Sequence, residues 1–375
     1  MAIRKRQWTA PDGTPKQAWL VEYRDQAGKR RFKQFQRRKE ADAWELNARG
    51  EVAKGVHTPD SVSITVQKAA ERWLDSVRAA DREPSTVAAY EQQVRLHIVP
   101  KCGAMKLSQL TAPMVKGFLN EWLGELSRPM AVRVLRSFKA ILTNAQEEGL
   151  VAQNVALAVK PSKVSREKRK VKPPSKADLR AILKAAEGSN NVKAGAIATL
   201  AIYSGLRASE LRGLAWDNLD LKRGTVTVEQ RADAKGHLGP PKSKAGYRTI
   251  PLPSGAVTIL KRWKLACPAH DAGLVFPSEK GKPLSHTVLM KDLIGPLQCS
   301  AGVTTPKGDK ARYGMHAFRH AAASLWIDRG LNPKRVQYLM GHSSITVTFD
   351  TYGHLFEIEA VDADAIERAL FGDAT

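Results

Sequence analysis

The spacing of apolar positions changes character three times along the chain. Between residues 17 and 35, "QAWLVEY" and "RRFKQF" alternate apolar and polar side chains on either side of "DQAGK". That period of two predicts two short strands, with Gly28 supplying the bend between them. From Arg38 to Lys54 the spacing lengthens to that of a helix, with Ala41, Trp44, Leu46 and Ala48 as packing positions. Pro59, Ser61 and Ser63 then interrupt any periodicity and predict a linker.

Residues 61–160 show helical spacing throughout. Val66, Ala69, Ala70, Trp73, Leu74 and Val77 share one face at i, i+3/i+4, i+7. "PSTVAAYEQQVRLHIV" opens on a Pro-Ser start signal, and "PMAVRVLRSFKAILTNAQEEGL" stops at Gly149. Thr111 is placed to cap the helix of "TAPMVKGFLNEWLGEL", with Pro113 tolerated in its first turn. Residues 161–175 carry prolines, a dense basic run and no apolar period, which predicts a solvated linker able to lie along phosphates. Residues 176–375 mix helices ("AGAIATLAIYSG", "RASELRGLAW", "HAFRHAAASLWIDRG", "NPKRVQYLMG") with short strands expected at 224–230, 247–252 and 274–276. The fold class expected is mainly α with small β elements (α+β). It comprises a β-plus-helix module at 1–60, a helical domain at 61–160, the linker, and a mixed, mainly-α domain with a small antiparallel sheet at 176–375. Val361, Ile366 and Leu370 lie at loose helical spacing near the end, which suits a tail helix docked on a neighbouring copy or on its own domain.

Charge sharpens this picture. Sixty Lys and Arg against 37 Asp and Glu leave a net +23, a self-repulsion that a polyanionic partner would relieve. The excess is local: residues 1–60 hold 14 basic and 8 acidic side chains, and residues 161–180 hold 8 and 2. No stretch reaches the ~18 apolar residues of a membrane span. "MAIRKRQWTA" lacks the apolar core of a signal peptide, so no membrane association and a cytoplasmic location are expected. Cys102, Cys267 and Cys299 are odd in number and far apart, as reduced thiols of an intracellular protein would be.

Four segments carry candidate chemistry. In "YSGLRASELRGLAW", Arg207 opens a helix with Glu210 at i+3, a spacing at which the carboxylate can fix the guanidinium, and Leu206, Leu211 and Leu214 anchor the turn. In "HAFRHAAASLWIDRG", His316, Arg319 and His320 share a face opposite Phe318, Ala322 and Leu325. His316 and His320 stand at metal-ligand spacing, but no acid occupies the same turn. "PPKSKAGYRTIPL" reads as a β-hairpin with Lys242 and Lys244 flanking its turn, and "GHSSITVTFDTYGHLF" sets Tyr352 between His342 and His354. "ITVTF" has strand propensity. Arginines, a lysine or two, histidines and a tyrosine without an acid cluster suit metal-free attack on a phosphodiester. Guanidinium forks stabilise the charge that develops on the non-bridging oxygens, and a phenolic oxygen can be the nucleophile.

The order "SGLRASEL", hairpin lysine, "HAFRH", "LMGHSSITVTFDTYGHL" resembles the tyrosine recombinase family, the phage integrases. The resemblance covers the whole chain: 1–60 is similar to an arm-site-binding domain, 64–160 to a helical core-binding domain, and about 174–375 to the catalytic domain. It implies Tyr352 as nucleophile forming a 3′-phosphotyrosyl link, Arg207 and Arg319 clamping the scissile phosphate, and Glu210 supporting them. It also implies Lys242 as general acid, with Lys244 the alternative, His316 assisting proton transfer from the tyrosine, and His342 bonding the phosphate or orienting the site. Lys242 is preferred as the residue ending the incoming strand. No cofactor or metal is implied. The partners implied are double-stranded DNA at core and arm sites and a homo-tetramer on that DNA, with a host DNA-bending protein and an excisionase as candidates. The function implied is site-specific recombination that integrates or excises a prophage or integrative element. The rival readings are a chromosomal resolvase of the same family, a DNA-binding regulator without catalysis, and a metallonuclease built on His316 and His320.

Overall fold

The computed structural model of the chain describes residues 1–25, 27–55, 57–80, 82–162, 173–305 and 311–356. Two units are formed, Met1–Arg166 and Glu167–Thr375. Most of the expected basic linker and the expected tail helix lie outside the described residues.

The first unit begins with a three-stranded antiparallel meander, β1 (Ala2–Thr9), β2 (Pro15–Arg24) and β3 (Arg30–Phe35), with β2 in the centre. Sequence periodicity finds β2 and β3 but misses β1, which pairs with β2 from Ala2↔Glu22 to Thr9↔Pro15. Its sequence, "AIRKRQWT", is mostly exposed and basic, so backbone pairing rather than an apolar face defines it, and a sheet edge tolerates such charge. Helix α1 (Arg38–Ala53) covers the face formed by Val21 and Tyr23, burying Ala41 and Ala48, with Trp44 edge-on to Tyr23 at 5.1 Å. Leu46, expected in that contact, is 74% exposed, because it points away from the Ala41–Trp44–Ala48 stripe.

A helical bundle follows: α2 (Val66–Ala79), α3 (Pro84–Gln93), α4 (Val99–Cys102), α5 (Ala112–Glu125) and α6 (Arg128–Glu147). Its core gathers Val66, Ala69, Ala70, Trp73, Leu74 and Val77 of α2 around Trp122, Phe138 and Ile141. Thr65 and Thr111 cap α2 and α5 by accepting from the backbone N–H groups of Lys68 and Met114. The expected linker near residue 60 is fastened at both sides. His57 bonds the Tyr23 hydroxyl at 3.0 Å, and Asp60 takes Lys33 at 2.7 Å and the Ser108 hydroxyl.

The second unit is built on α7 (Lys176–Gly188), α8 (Val192–Ser204) and α9 (Ala208–Arg212). Helix α8 is apolar all round, from Ala194 to Ile202, and is the buried centre of the unit. A small sheet stands beside it, order β4 (Leu219–Asp220), β5 (Thr225–Val228), β8 (Arg248–Pro251), and β6 (Arg231–Ala232) pairs with β7 (Leu238–Gly239) as a separate hairpin. Two expectations are corrected here. Residues 274–276 form no strand, only a single bridge from Leu274 to Ala215. "PPKSKAGYRTIPL" is not a hairpin: β8 pairs with β5, not with the segment before it, and Lys242 lies in an irregular loop after β7. Pro240 and Pro241 remove the donors that a strand there would need. The chain continues through α10 (Ser254–Ala266), α11 (His286–Val288), α12 (Gly295–Ser300), α13 (Met315–Asp328), α14 (Pro333–Met340) and α15 (Ile345–Tyr352). No described helix is long and apolar enough to cross a membrane.

Candidate active site

Two glycine turns bring the polar groups together. Gly205 ends α8 in the left-handed region (φ 59°), and a Cβ there would lie 3.0 Å from that of Ala322, so only glycine lets the turn close on α13. Gly341 ends α14 in the same way, φ 61°. Two residues past the first turn, the Arg207 N–H and its Nη1 donate to Glu210 at 2.8 and 2.6 Å, and Nη2 reaches the Gly341 carbonyl at 2.9 Å. Arg319, on α13, donates to the Gly205 carbonyl at 2.7 Å and to that of Met340. The two guanidinium groups therefore sit on adjacent carbonyls of one turn. Arg319 is buried, whereas the Arg207 side chain keeps 38% of its surface open.

Tyr352 ends α15 and is 2% exposed, packed with Ala323, Ile327, Val336 and Met340. Its hydroxyl is 2.6 Å from Nδ1 of His320. His342 lies with its ring nearly parallel to that of Tyr352, centroids 6.4 Å apart, and its Nδ1 meets the Thr348 hydroxyl at 2.9 Å. His316 packs edge-on against His320, centroids 4.3 Å apart. Six of the groups predicted from sequence, Arg207, Glu210, His316, Arg319, His342 and Tyr352, thus gather in one place. Lys242 and Lys244 are both exposed on the 240–247 loop, and neither ends a strand, so strand position gives no ground for preferring Lys242. Among the described residues, no three His, Cys, Asp or Glu side chains come together as a metal site.

The phage integrase family profile matches residues 175–358, and the profile of the phage integrase N-terminal SAM-like domain matches residues 65–123. The chain belongs to the phage integrase family of tyrosine recombinases. Its members are enzymes that cleave and rejoin DNA in site-specific recombination. A protein named tyrosine recombinase XerC-like, from Caldanaerobacter subterraneus, is 26% identical over 93% of this chain and 94% of its own length. The Tn1549 transposon integrase, solved with a circular-intermediate DNA, matches at 20% identity and TM-score 0.66 over 82% of this chain and 99% of that one. A lambda integrase tetramer solved on a Holliday junction matches at 19% identity and TM-score 0.58, covering 91% of this chain and 96% of that one.

The electrostatics of this tyrosine recombinase follow from burial beside cations. Burial, with His316 and Arg319 close by, brings the His320 imidazole down to about 4, and burial with Arg319 and Arg207 does the same to His342. His316 is lowered by burial and the same two arginines. Burial and Arg207 press Arg319 down to about 9, still cationic at neutral pH. Burial raises the Tyr352 phenol to about 12, with Arg319 pulling the other way. Burial alone would raise Glu210, but the hydrogen bond and charge of Arg248, with Arg207, outweigh it and leave the carboxyl at about 2. The resting site therefore holds neutral imidazoles, a neutral phenol and ionised Glu210 between two arginines.

Two residues in this geometry have no role in the reading from sequence. His320 figures there only as a metal candidate, yet it is the partner of the tyrosine hydroxyl; the i, i+4 pair His316/His320 shows that both rings face one way but not which is nearer. Arg248 was readable in principle. In "YRTIPL" it shares the inward face of β8 with Ile250, and an inward-facing arginine needs an acid.

Proposed function

We propose that the protein integrates or excises a prophage or other integrative element by transferring DNA strands through Tyr352. The observation that carries this reading is the pair of guanidinium groups on adjacent carbonyls of the Met340–Gly341 turn, next to a tyrosine whose hydroxyl is held by a neutral imidazole. The scissile phosphate sits on Arg207 and Arg319. The Tyr352 oxygen attacks phosphorus, its proton passes to Nδ1 of His320, and the P–O5′ bond breaks while a loop lysine, Lys242 or Lys244, protonates the departing oxygen. The guanidinium forks stabilise the charge on the non-bridging oxygens in the transition state. His342, fixed by Thr348, orients the phosphate, and His316 supports His320 from one turn away. The phosphotyrosyl bond keeps the energy of the broken phosphodiester, so the reverse attack by a 5′-hydroxyl reseals the strand. Exchange takes place in the bacterial cytoplasm within a tetramer on two DNA sites, as lambda integrase forms on a Holliday junction.

A duplex nicked just beyond the cleavage site tests this, because the short cleaved fragment diffuses away and traps the enzyme on DNA. The adduct is expected on Tyr352, formed in excess EDTA and without a nucleoside triphosphate. An adduct on Tyr313, which donates to Asp178 at 2.6 Å, or on the half-exposed Tyr338 would overturn the assignment, as would a requirement for added metal.

The same reading makes residues 1–60 an arm-site module, which sets it apart from a chromosomal resolvase. On the outer face of the sheet Arg4 and Arg30 share Glu22, Arg24 reaches the Gly28 carbonyl and Arg30 also lies over the Phe32 ring. All three arginines are solvent-exposed, whereas the less exposed Arg31 and Lys33 are committed to Asp25 and Asp60. Replacing Arg4, Arg24 and Arg30 together by alanine should erase footprints at outlying sites and leave cleavage of a short core duplex unchanged. It should also flatten the salt dependence of full-site binding by about 0.9 in log–log slope for each phosphate no longer neutralised. Unchanged outlying footprints would remove the arm-binding role.

A further inference from the structure

Arg248 takes no step in this chemistry, yet its side chain is 0% exposed and it touches three parts of the site. Its Nη2 donates to Glu210 Oε2 at 2.8 Å and Nη1 to Oε1 at 3.2 Å. Nη1 also donates to the Gly246 carbonyl at 2.9 Å, and Nε donates to the Leu339 carbonyl at 2.8 Å. Glu210 holds Arg207. Gly246 closes the helical turn Lys244–Gly246 in the loop that bears both candidate lysines. Leu339 lies in the last turn of α14, just before Gly341 and His342. The junction is tight: a Cβ on Gly341 would stand 2.9 Å from both the Ala245 carbonyl oxygen and Arg248 Nη1. The lysine loop, the Arg207–Glu210 pair and the turn leading to His342 therefore meet at a single guanidinium.

We propose that Arg248 is a positioning residue, holding the lysine loop in register with the phosphate clamp so that the loop lysine reaches the leaving 5′-oxygen. The proposal rests on the phosphotyrosyl reading above. A bland role competes with it, in which Arg248 only neutralises a buried carboxylate and so supports folding. The two differ in which part of the reaction suffers. A loop out of register impairs protonation of the leaving oxygen and leaves attack by Tyr352 intact, whereas a loosened fold impairs both.

Arg248→Lys in the full chain keeps a charge at Glu210, but a single ammonium cannot reproduce the planar fork that reaches all three partners. Single-turnover cleavage is measured on the nicked duplex and on the same duplex with sulfur as the 5′-bridging atom. A thiolate leaves without a proton donor, since thiols ionise near pH ~8.5. On the oxygen substrate the variant is expected to be about 10²-fold slower, the usual cost of roughly 1 Å of misplacement. On the sulfur substrate it should run within a few-fold of the parent, as should Lys242→Ala or Lys244→Ala, whichever lysine acts. Equal slowing of Arg248→Lys on both substrates, beside selective rescue of a lysine variant, overturns the positioning role. If neither lysine variant is rescued, the general-acid reading fails instead. Arg248→Gln, which keeps a donor to Glu210, serves as the second variant. A cooperative melt and unchanged gel-shift affinity show that each is folded, and if neither folds, Arg248 is structural and the proposal is wrong.

Discussion

Tyr352→Phe is expected to abolish strand cleavage and to leave DNA affinity close to that of the parent. The change removes one oxygen and keeps the ring that fills the space between Ala323, Val336 and Met340. With no nucleophile the loss should be on the order of 10⁶-fold, the scale at which removing an attacking group acts in other covalent enzymes. The fold should survive, with a penalty. Nδ1 of His320 loses its partner at 2.6 Å, and an unsatisfied polar group in a half-buried site costs about 1–3 kcal/mol. The melting temperature should therefore fall by several degrees while gel-shift affinity holds. Trapping on nicked duplex supplies the first measurement and a thermal melt the second. Residual cleavage within a hundredfold of the parent would mean that another oxygen attacks. A large drop in DNA binding would mean that the hydroxyl itself touches DNA.

Much of the helical framework is legible because burial follows sequence period. Every residue on the predicted α2 face, from Val66 to Val77, is buried, and Leu206, Leu211 and Leu214 anchor the Arg207 turn as their spacing requires. What is not legible depends on groups distant in sequence. β1 offers no apolar alternation, so only its pairing with β2 reveals it. "ITVTF" carries β-branched residues and strand propensity, yet Ile345–Tyr352 is helical. The propensity term is at most about 0.7 kcal/mol per residue. Burial of Tyr352 against α13 and α14, with buried Thr348 bonded to His342 and Ser344 accepting from the Thr346 N–H, exceeds it.

The site divides in the same way. Arg207 and Glu210 are three residues apart on one turn, so their contact can be read from a helical wheel. The choice between His316 and His320 as partner of Tyr352 turns on where α15 packs, 32 residues later in the chain. The lysine is hardest to place. A loop of prolines, serine and glycine sets no register of its own, and the group that fixes it, Arg248, answers to Glu210 and Leu339 from other elements.

Arg207→Lys should slow single-turnover cleavage by about 10²–10³, the loss typical when one preorganised donor to a developing oxyanion is removed. Lysine keeps the charge, so this loss measures geometry. A guanidinium can hold Glu210 through Nη1, the Gly341 carbonyl through Nη2, and still present an edge to phosphate, whereas an ammonium has three donors at a single point. Arg319→Lys should lose as much, but its interpretation is less direct. Arg319 is buried and binds the Gly205 and Met340 carbonyls, so lysine there also leaves buried acceptors short of donors and weakens the turn. Arg207, more than a third exposed, is the cleaner probe of phosphate binding. The double variant should lose less than the product of the single losses, because two groups clamping one phosphate act as a unit. Cleavage by Arg207→Lys within a factor of two of the parent, with the protein folded and bound to DNA, would place the guanidinium away from the phosphate. In that event Arg207 would serve only to brace Glu210 and the Gly341 turn, and the stabilising charge would have to come from Arg319 and the loop lysines.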